Sequence, residues 1–176
     1  MFFYDQIIDR AEELATKFSR DARAIVDGMG IFRMEFPMGF TPHSTCGFCS
    51  LYEGNPIIVV NSELTTTHKK FVTGHELYHI ENDQFLLENN SCIRDTFQNL
   101  SDSAELNANL FAIELLISDE NALNAIQEQN SVDFAAMELG IKPSLLAYKL
   151  RLLRYKGYPI PEQLTELDER AAAKLL

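Results

Sequence analysis

The pentapeptide His75-Glu76-Leu77-Tyr78-His79 constrains this chain more than anything else in it. Two histidines four residues apart on an α-helix stand about 40° apart around its axis, one turn above the other, so both imidazoles reach one point. Glu76 lies about 60° around from His79, close to that point without having to occupy it. Metal-dependent hydrolysis needs this division of labour: neutral imidazoles hold a divalent ion, and a separate carboxylate takes a proton from water beside it. The ordinary alternative is a buried helix whose histidines make unremarked hydrogen bonds. Phe71 and Val72 before the pentapeptide and Ile80 after it make this a central helix rather than a solvated one. Gly74 inside it costs about 1 kcal/mol relative to alanine, which marks either a close backbone neighbour or a tolerated weak point.

A catalytic zinc site takes three protein ligands and keeps one position open. The candidate for the third is Glu105, at the start of a helix reading Ala104-Glu105-Leu106-Asn107-Ala108-Asn109. Asn109 lies one turn further on the same face, where its amide oxygen can accept the Nδ1 proton of a histidine and fix its tautomer. Ala108 and Ala112 would let this helix approach the histidine helix closely. Alternatively, Glu105 is a first-turn acid complementing the helix dipole, with Asp102 as N-cap. Zinc, one ion and catalytic, is the expected cofactor, although the same ligands accept other divalent metals.

The rest of the chain predicts an α+β fold, mostly helical, with a small sheet of about three strands, antiparallel in part, packed on the histidine helix. Tyr4, Ile7, Ile8, Ala11, Leu14, Ala15 and Phe18 recur at helical steps. A short helix over 22–26 should stop near Gly28. Residues 31–36 alternate as a strand, 37–45 read as loop, and Met34 and Met38 read as loop and core. Residues 47–52 and 57–60 flank Glu53-Gly54-Asn55-Pro56, a hairpin turn. Helices are expected from Thr65–Thr67 to Ile80 and from Ser101–Ser103 to about Ile117, followed by helix, tight turn at Gly140 and helix through Leu153. The expected division is a core over 1–120 and a helical, helix-turn-helix-like element over 121–176 packed on it, with the tail after Pro159 a last or frayed helix.

Fifteen Lys and Arg against twenty-six Asp and Glu give a formal charge of −11, which opposes nucleic acid except locally. No apolar run spans a bilayer and the first residues lack a basic leader, so the expected location is the cytoplasm and no membrane is expected as a partner. Cys46, Cys49 and Cys92 read as reduced thiols. A zinc knuckle of His43 with Cys46 and Cys49 is disfavoured, because no second cysteine pair follows. His68 reads as a solvated helix-start residue, with an oxyanion-stabilising role as the sharper alternative. Lys142, Lys149, Arg151, Arg154 and Lys156 form a local basic patch on the helix–turn–helix stretch, read as a solvated helix end or a docking surface for a protein partner rather than as a DNA contact.

The stretch His75-Glu76-Leu77-Tyr78-His79-Ile80, followed by Glu105-Leu106-Asn107-Ala108-Asn109-Leu110-Phe111-Ala112-Ile113-Glu114-Leu115-Leu116, resembles the ImmA/IrrE family of zinc metallopeptidases. There, a zinc-binding helix precedes a helix with a similar E-x-x-A-N-x-F-A pattern. The likeness covers roughly 4–155. It departs at Leu77-Tyr78, where a smaller residue is more usual, and at Ile117-Ser118 in place of a frequent Met-Pro. The resemblance implies His75, His79 and Glu105 as zinc ligands, Glu76 as catalytic base, and a helix-turn-helix repressor of a mobile element or stress regulon as the cleaved protein. The competing function is a non-enzymatic regulator that binds a repressor or DNA through its basic C-terminal element.

Overall fold

The computed structural model describes residues 3–39, 41, 44–83, 87, 93–96, 103–129 and 131–164. His43, Cys92, Asp102 and the tail from residue 165 lie outside them, and so do the expectations attached to those residues. The elements run α1 (Phe3–Phe18), α2 (Ala22–Gly28), β1 (Phe32–Phe36), β2 (Thr45–Tyr52), β3 (Asn55–Asn61), α3 (Thr66–Asn82), β4 (Ile93–Thr96), α4 (Ser103–Leu116), α5 (Asp119–Gln129), α6 (Val132–Leu139) and α7 (Pro143–Tyr155), with a short 3-10 turn at Glu162–Leu164.

The expected α+β architecture holds, with a sheet that is mixed and four strands wide, in the order β1-β3-β2-β4. β1 runs parallel to β3, while β2 is antiparallel to both β3 and β4. β2 and β3 form the expected hairpin. Tyr52 pairs with Asn55, and Glu53 and Gly54 between them both have positive φ, 50° and 78°, the two-residue turn whose twist matches that of its strands. Asn61, fully buried at the end of β3, ties the loops around it together. Its Oδ1 accepts from the backbone N–H groups of Met38 and Glu63, and its Nδ2 donates to the carbonyls of Gly39 and Thr45.

α3 lies across one face of the sheet. Thr65 caps it by accepting from the His68 N–H at 3.3 Å, the hydroxyl cap that the threonine run predicts. Gly47 of β2 faces it so closely that a Cβ there would stand 2.5 Å from Val72 Cγ1 and 3.0 Å from the Val59 carbonyl. On its far side α3 packs against α4, where Tyr78 meets Phe111 with ring centroids 5.7 Å apart. The large residue at position 78 is thereby absorbed into helix packing. α1, amphipathic as its spacing predicts, buries Ile7, Ala11 and Leu14.

One hydrophobic cluster runs from Ile7 to Ile160 and takes in the C-terminal helices. α6 ends on Gly140, whose φ of 67° suits only glycine well, and α7 starts at Pro143, giving the expected helix–turn–helix. Lys149 of α7 is buried to 0% exposure, so it cannot be the surface docking residue that its place in a basic run implies. Its Nζ donates to Glu114 at 2.7 Å and Asp119 at 2.6 Å, and Lys156 Nζ donates to the same two carboxylates. Strand β1 corrects a second expectation: Met34 stands exposed on it, not in loop or core.

Candidate metal centre

His75 and His79 are carried on consecutive turns of α3, and Glu105 on the first turn of α4. The helices can lie this close because the residues between them are small. Ala108 and Ala112 are buried, and a Cβ added at Gly74 would touch Ala112 at 3.5 Å, ordinary van der Waals contact. Gly74 thus marks the helix crossing, as its sequence position hints, yet an alanine would fit there.

The geometry of the three side chains suits a metal ion. His75 Nε2 and His79 Nε2 are 3.1 Å apart, and Glu105 places Oε2 3.2 Å from the first and Oε1 3.5 Å from the second. Bonds of about 2.0–2.2 Å in a tetrahedron separate ligand atoms by about 3.3–3.5 Å. Among the described residues, these three are the group of histidine, cysteine and acidic side chains able to hold a metal. The donor set is two borderline nitrogens and one hard oxygen, which suits zinc and also other divalent ions.

The tautomers support the same reading. Asn109 Oδ1 lies 3.0 Å from His75 Nδ1, and Asp83 Oδ2 lies 2.6 Å from His79 Nδ1. Both oxygens accept, so each Nδ1 carries its ring's proton and each Nε2 presents a lone pair. The 3.1 Å separation of the two Nε2 atoms also suits two ligands of one ion. The one-turn offset of Asn109 from Glu105 predicts its role. Asp83 is the supporting residue that sequence reasoning misses. It sits one turn beyond His79, at the C-cap of α3, and its signal is the same four-residue spacing read once more along the chain.

Glu76 is fully buried on α3, turned toward the sheet. A Cβ on Gly47 would stand 3.5 Å from its Oε1, so the strand leaves just enough room for the carboxylate. Tyr78 borders Asp83, and burial followed by that carboxylate raises its phenol pKa above the usual value.

The remaining candidates lie elsewhere. His68 is at the start of α3, two turns or about 10 Å along the axis from His75. Its pKa is lowered, by burial first and by nearby Lys142 second. Cys46 and Cys49 are both buried in the hydrophobic cluster. Of the basic run, Arg154 pairs with Glu162 at 3.3 Å, and Arg151 lies 5.9 Å from the Tyr148 ring centroid. Lys142 occupies the N-cap of α7.

A family model described as Peptidase_M78, IrrE N-terminal-like domain, matches residues 30–151, a span that holds both histidines, Glu76, Asp83, Glu105 and Asn109. The chain is also similar to "Uncharacterized immunity region protein 2" of Bacillus phage phi105, with 31% identity over 121 residues that make up 66% of this chain and 72% of the phage protein. No helix among the described residues is long and apolar enough to cross a membrane.

Proposed function

The chain belongs to the Peptidase_M78 family, with its IrrE N-terminal-like domain, and from that premise we propose that it is a zinc-dependent endopeptidase of one intracellular protein, a helix-turn-helix repressor. The observation that carries the reading is the convergence of His75 Nε2, His79 Nε2 and a Glu105 carboxylate, with Asn109 and Asp83 holding both rings in the ligand tautomer. The likeness to a phage immunity-region protein supports a repressor as substrate, since immunity is a matter of keeping phage genes silent.

His75, His79 and Glu105 would hold the ion and leave one corner to solvent and substrate. Bound there, zinc supplies Lewis-acid polarisation of the scissile carbonyl and lowers the pKa of water at the site toward neutrality. Glu76, next to His75 in sequence and buried between α3 and β2, accepts the proton of the attacking water and delivers it to the departing amine. Asn109 and Asp83 hold the imidazoles against rotation, so the ligand nitrogens do not have to be organised on each turnover. The described C-terminal helices lie against this core through Lys149 on α7 and Glu114 on α4, and an acidic partner surface would dock on the rest of the basic run, exposed Arg154 with half-buried Lys142 and Arg151.

The test is cleavage of a cognate repressor on a gel, with and without chelator. E76Q should keep zinc at one equivalent and lose cleavage by at least about a thousandfold, while H75A and E105A lose the metal itself. Wild-type cleavage by E76Q, or full zinc content in E105A, would sink the assignment.

A further inference from the structure

Strand β1 is amphipathic the wrong way round. Its sequence is Phe32-Arg33-Met34-Glu35-Phe36, and the residues turned toward α3 are the charged ones. Arg33 Nε donates to Thr73 Oγ1 at 2.9 Å and its Nη1 meets Glu35 at 3.0 Å, while Lys69 of α3 pairs with Glu35 at 2.8 Å. Phe32, Met34 and Phe36 are on the outer face, 63%, 40% and 55% exposed. Three large apolar side chains in a row are more than scattered surface hydrophobics, and they sit on a strand at the margin of the sheet.

The backbone of this strand has a definite polarity too. The Phe36 carbonyl accepts from the Ser62 N–H at 3.0 Å, so the main-chain groups of Phe36 face β3. Two-residue periodicity turns those of Met34 and Phe32 the same way, and those of Arg33 and Glu35 toward the open edge.

We propose that β1 pairs antiparallel with β1 of a second copy of this chain, about a two-fold axis at Met34, to make one continuous eight-stranded sheet. In that register Arg33 stands opposite Glu35 of the second copy, and Glu35 opposite its Arg33. Both are hydrogen-bonded pairs, because these are the residues whose N–H and C=O point outward, and together they exchange four backbone bonds. Opposite charges face each other twice on the α3 side. On the outer face Phe32 packs against Phe36 of the second copy, and Met34 meets Met34 in the closely spaced non-hydrogen-bonded pair. Moving the two-fold axis to Arg33 or Glu35 would set like charges opposite each other, and centring it between residues would mismatch the outward backbone groups. Sequence symmetry of charge about Met34 thus selects both the partner and the register. β1 lies at the edge of the sheet opposite β4, with β3 between it and β2, the strand whose Gly47 borders Glu76.

Sedimentation equilibrium of the full chain over a dilution series tests this. The wild type should reach dimer mass, and M34K should weaken the dimer about tenfold or more by setting two ammonium groups together at the axis. Position 34 is exposed and bonds to no side chain through its own, so M34K should fold, as circular dichroism can verify. R33E and E35R should each be monomeric alone, facing acid with acid or base with base. Mixed in equal amounts they should form a one-to-one dimer, which no misfolded variant would do. A wild-type chain monomeric throughout overturns the proposal, as does a dimer indifferent to M34K; if the wild type is monomeric and M34K still loses repressor cleavage, the strand belongs to the substrate instead.

Discussion

Glu114 is where the fold has most to lose from one proton's worth of charge. It is fully buried on α4, and its carboxylate accepts from Lys149 at 2.7 Å and from Lys156 at 2.5 Å, while its backbone carbonyl accepts from Arg20 at 2.7 Å. Lys149 is itself 0% exposed. E114Q keeps the shape and removes the charge, leaving a buried ammonium to the one remaining carboxylate, Asp119, 2.6 Å away. Breaking a buried pair by deleting one partner costs about 3–5 kcal/mol. Because Asp119 still holds Lys149, the low end applies, about 3 kcal/mol, or a fall in melting temperature of about 6–12 °C for a chain of this size. The assay is urea unfolding followed by circular dichroism, with zinc content measured in parallel and expected to stay at one equivalent. A second variant sharpens the test. Adding K149M to E114Q removes the stranded cation, so the double variant should be more stable than E114Q alone. The cluster also sets a pH window. Burial raises the Asp119 pKa, but the ammonium groups of Lys149 and Lys156 more than reverse it and leave the carboxyl below its usual range. Its contribution is therefore present above about pH 4 and is lost as pH falls through the depressed value. If E114Q unfolds within about 1 kcal/mol of wild type, or if the two substitutions simply add, the buried network is not what joins α7 to α4.

Two glycines should respond oppositely to alanine. G47A drives a methyl to 2.5 Å from Val72 and 3.0 Å from the Val59 carbonyl, and should destabilise by about 1–3 kcal/mol and depress activity by pushing α3, and Glu76 with it, away from β2, whereas G74A meets only ordinary contacts and should stabilise by about 0.5–1 kcal/mol in thermal melts. Equal effects would mean that α3 does not sit against β2 as described. D83A and N109A should each weaken metal binding about 10–100-fold in competition with a chromogenic chelator, and unchanged affinity in D83A would reduce Asp83 to a helix cap.

What the sequence discloses depends on what each pattern can encode. Helical periodicity reports directly on burial, so α1, α3, α4 and α7 are legible, and so are the two histidines on one helix face. Alternation in a strand reports which residues share a face and not which face points inward. Phe-Arg-Met-Glu-Phe reads as apolar-in, and only Thr73 and Lys69 on α3, some forty residues away, make the charged face the covered one. β4 is four residues long and finds its partner in β2 more than forty residues upstream, a pairing with no local signature. Lys149 misleads for a similar reason. A cation in a basic run is exposed by default, and its burial depends on Glu114 and Asp119, which belong to other elements.

The site itself divides along the same line. His75 and His79 have their backbone positions fixed relative to each other by one helix, so only the rotation of their rings is left to be set by neighbours. Glu105 comes from another helix, so its distance to the imidazoles is set by how closely α4 lies on α3. That approach depends on the small Ala108 and Ala112, and the Tyr78–Phe111 contact keeps the two helices from sliding. The carboxylate is thus the adjustable member of the set, and anything that moves α4 would reach a bound ion through Glu105 first. Asn109 complicates this in a useful way: it rides on α4 and grips His75 on α3, so a shift that withdraws Glu105 also slackens one imidazole. Asp83 rides on α3 with His79 and feels nothing. Displacing α4 should therefore loosen Glu105 and His75 together and leave His79 in place, an asymmetry built in by which helix supplies each supporting oxygen.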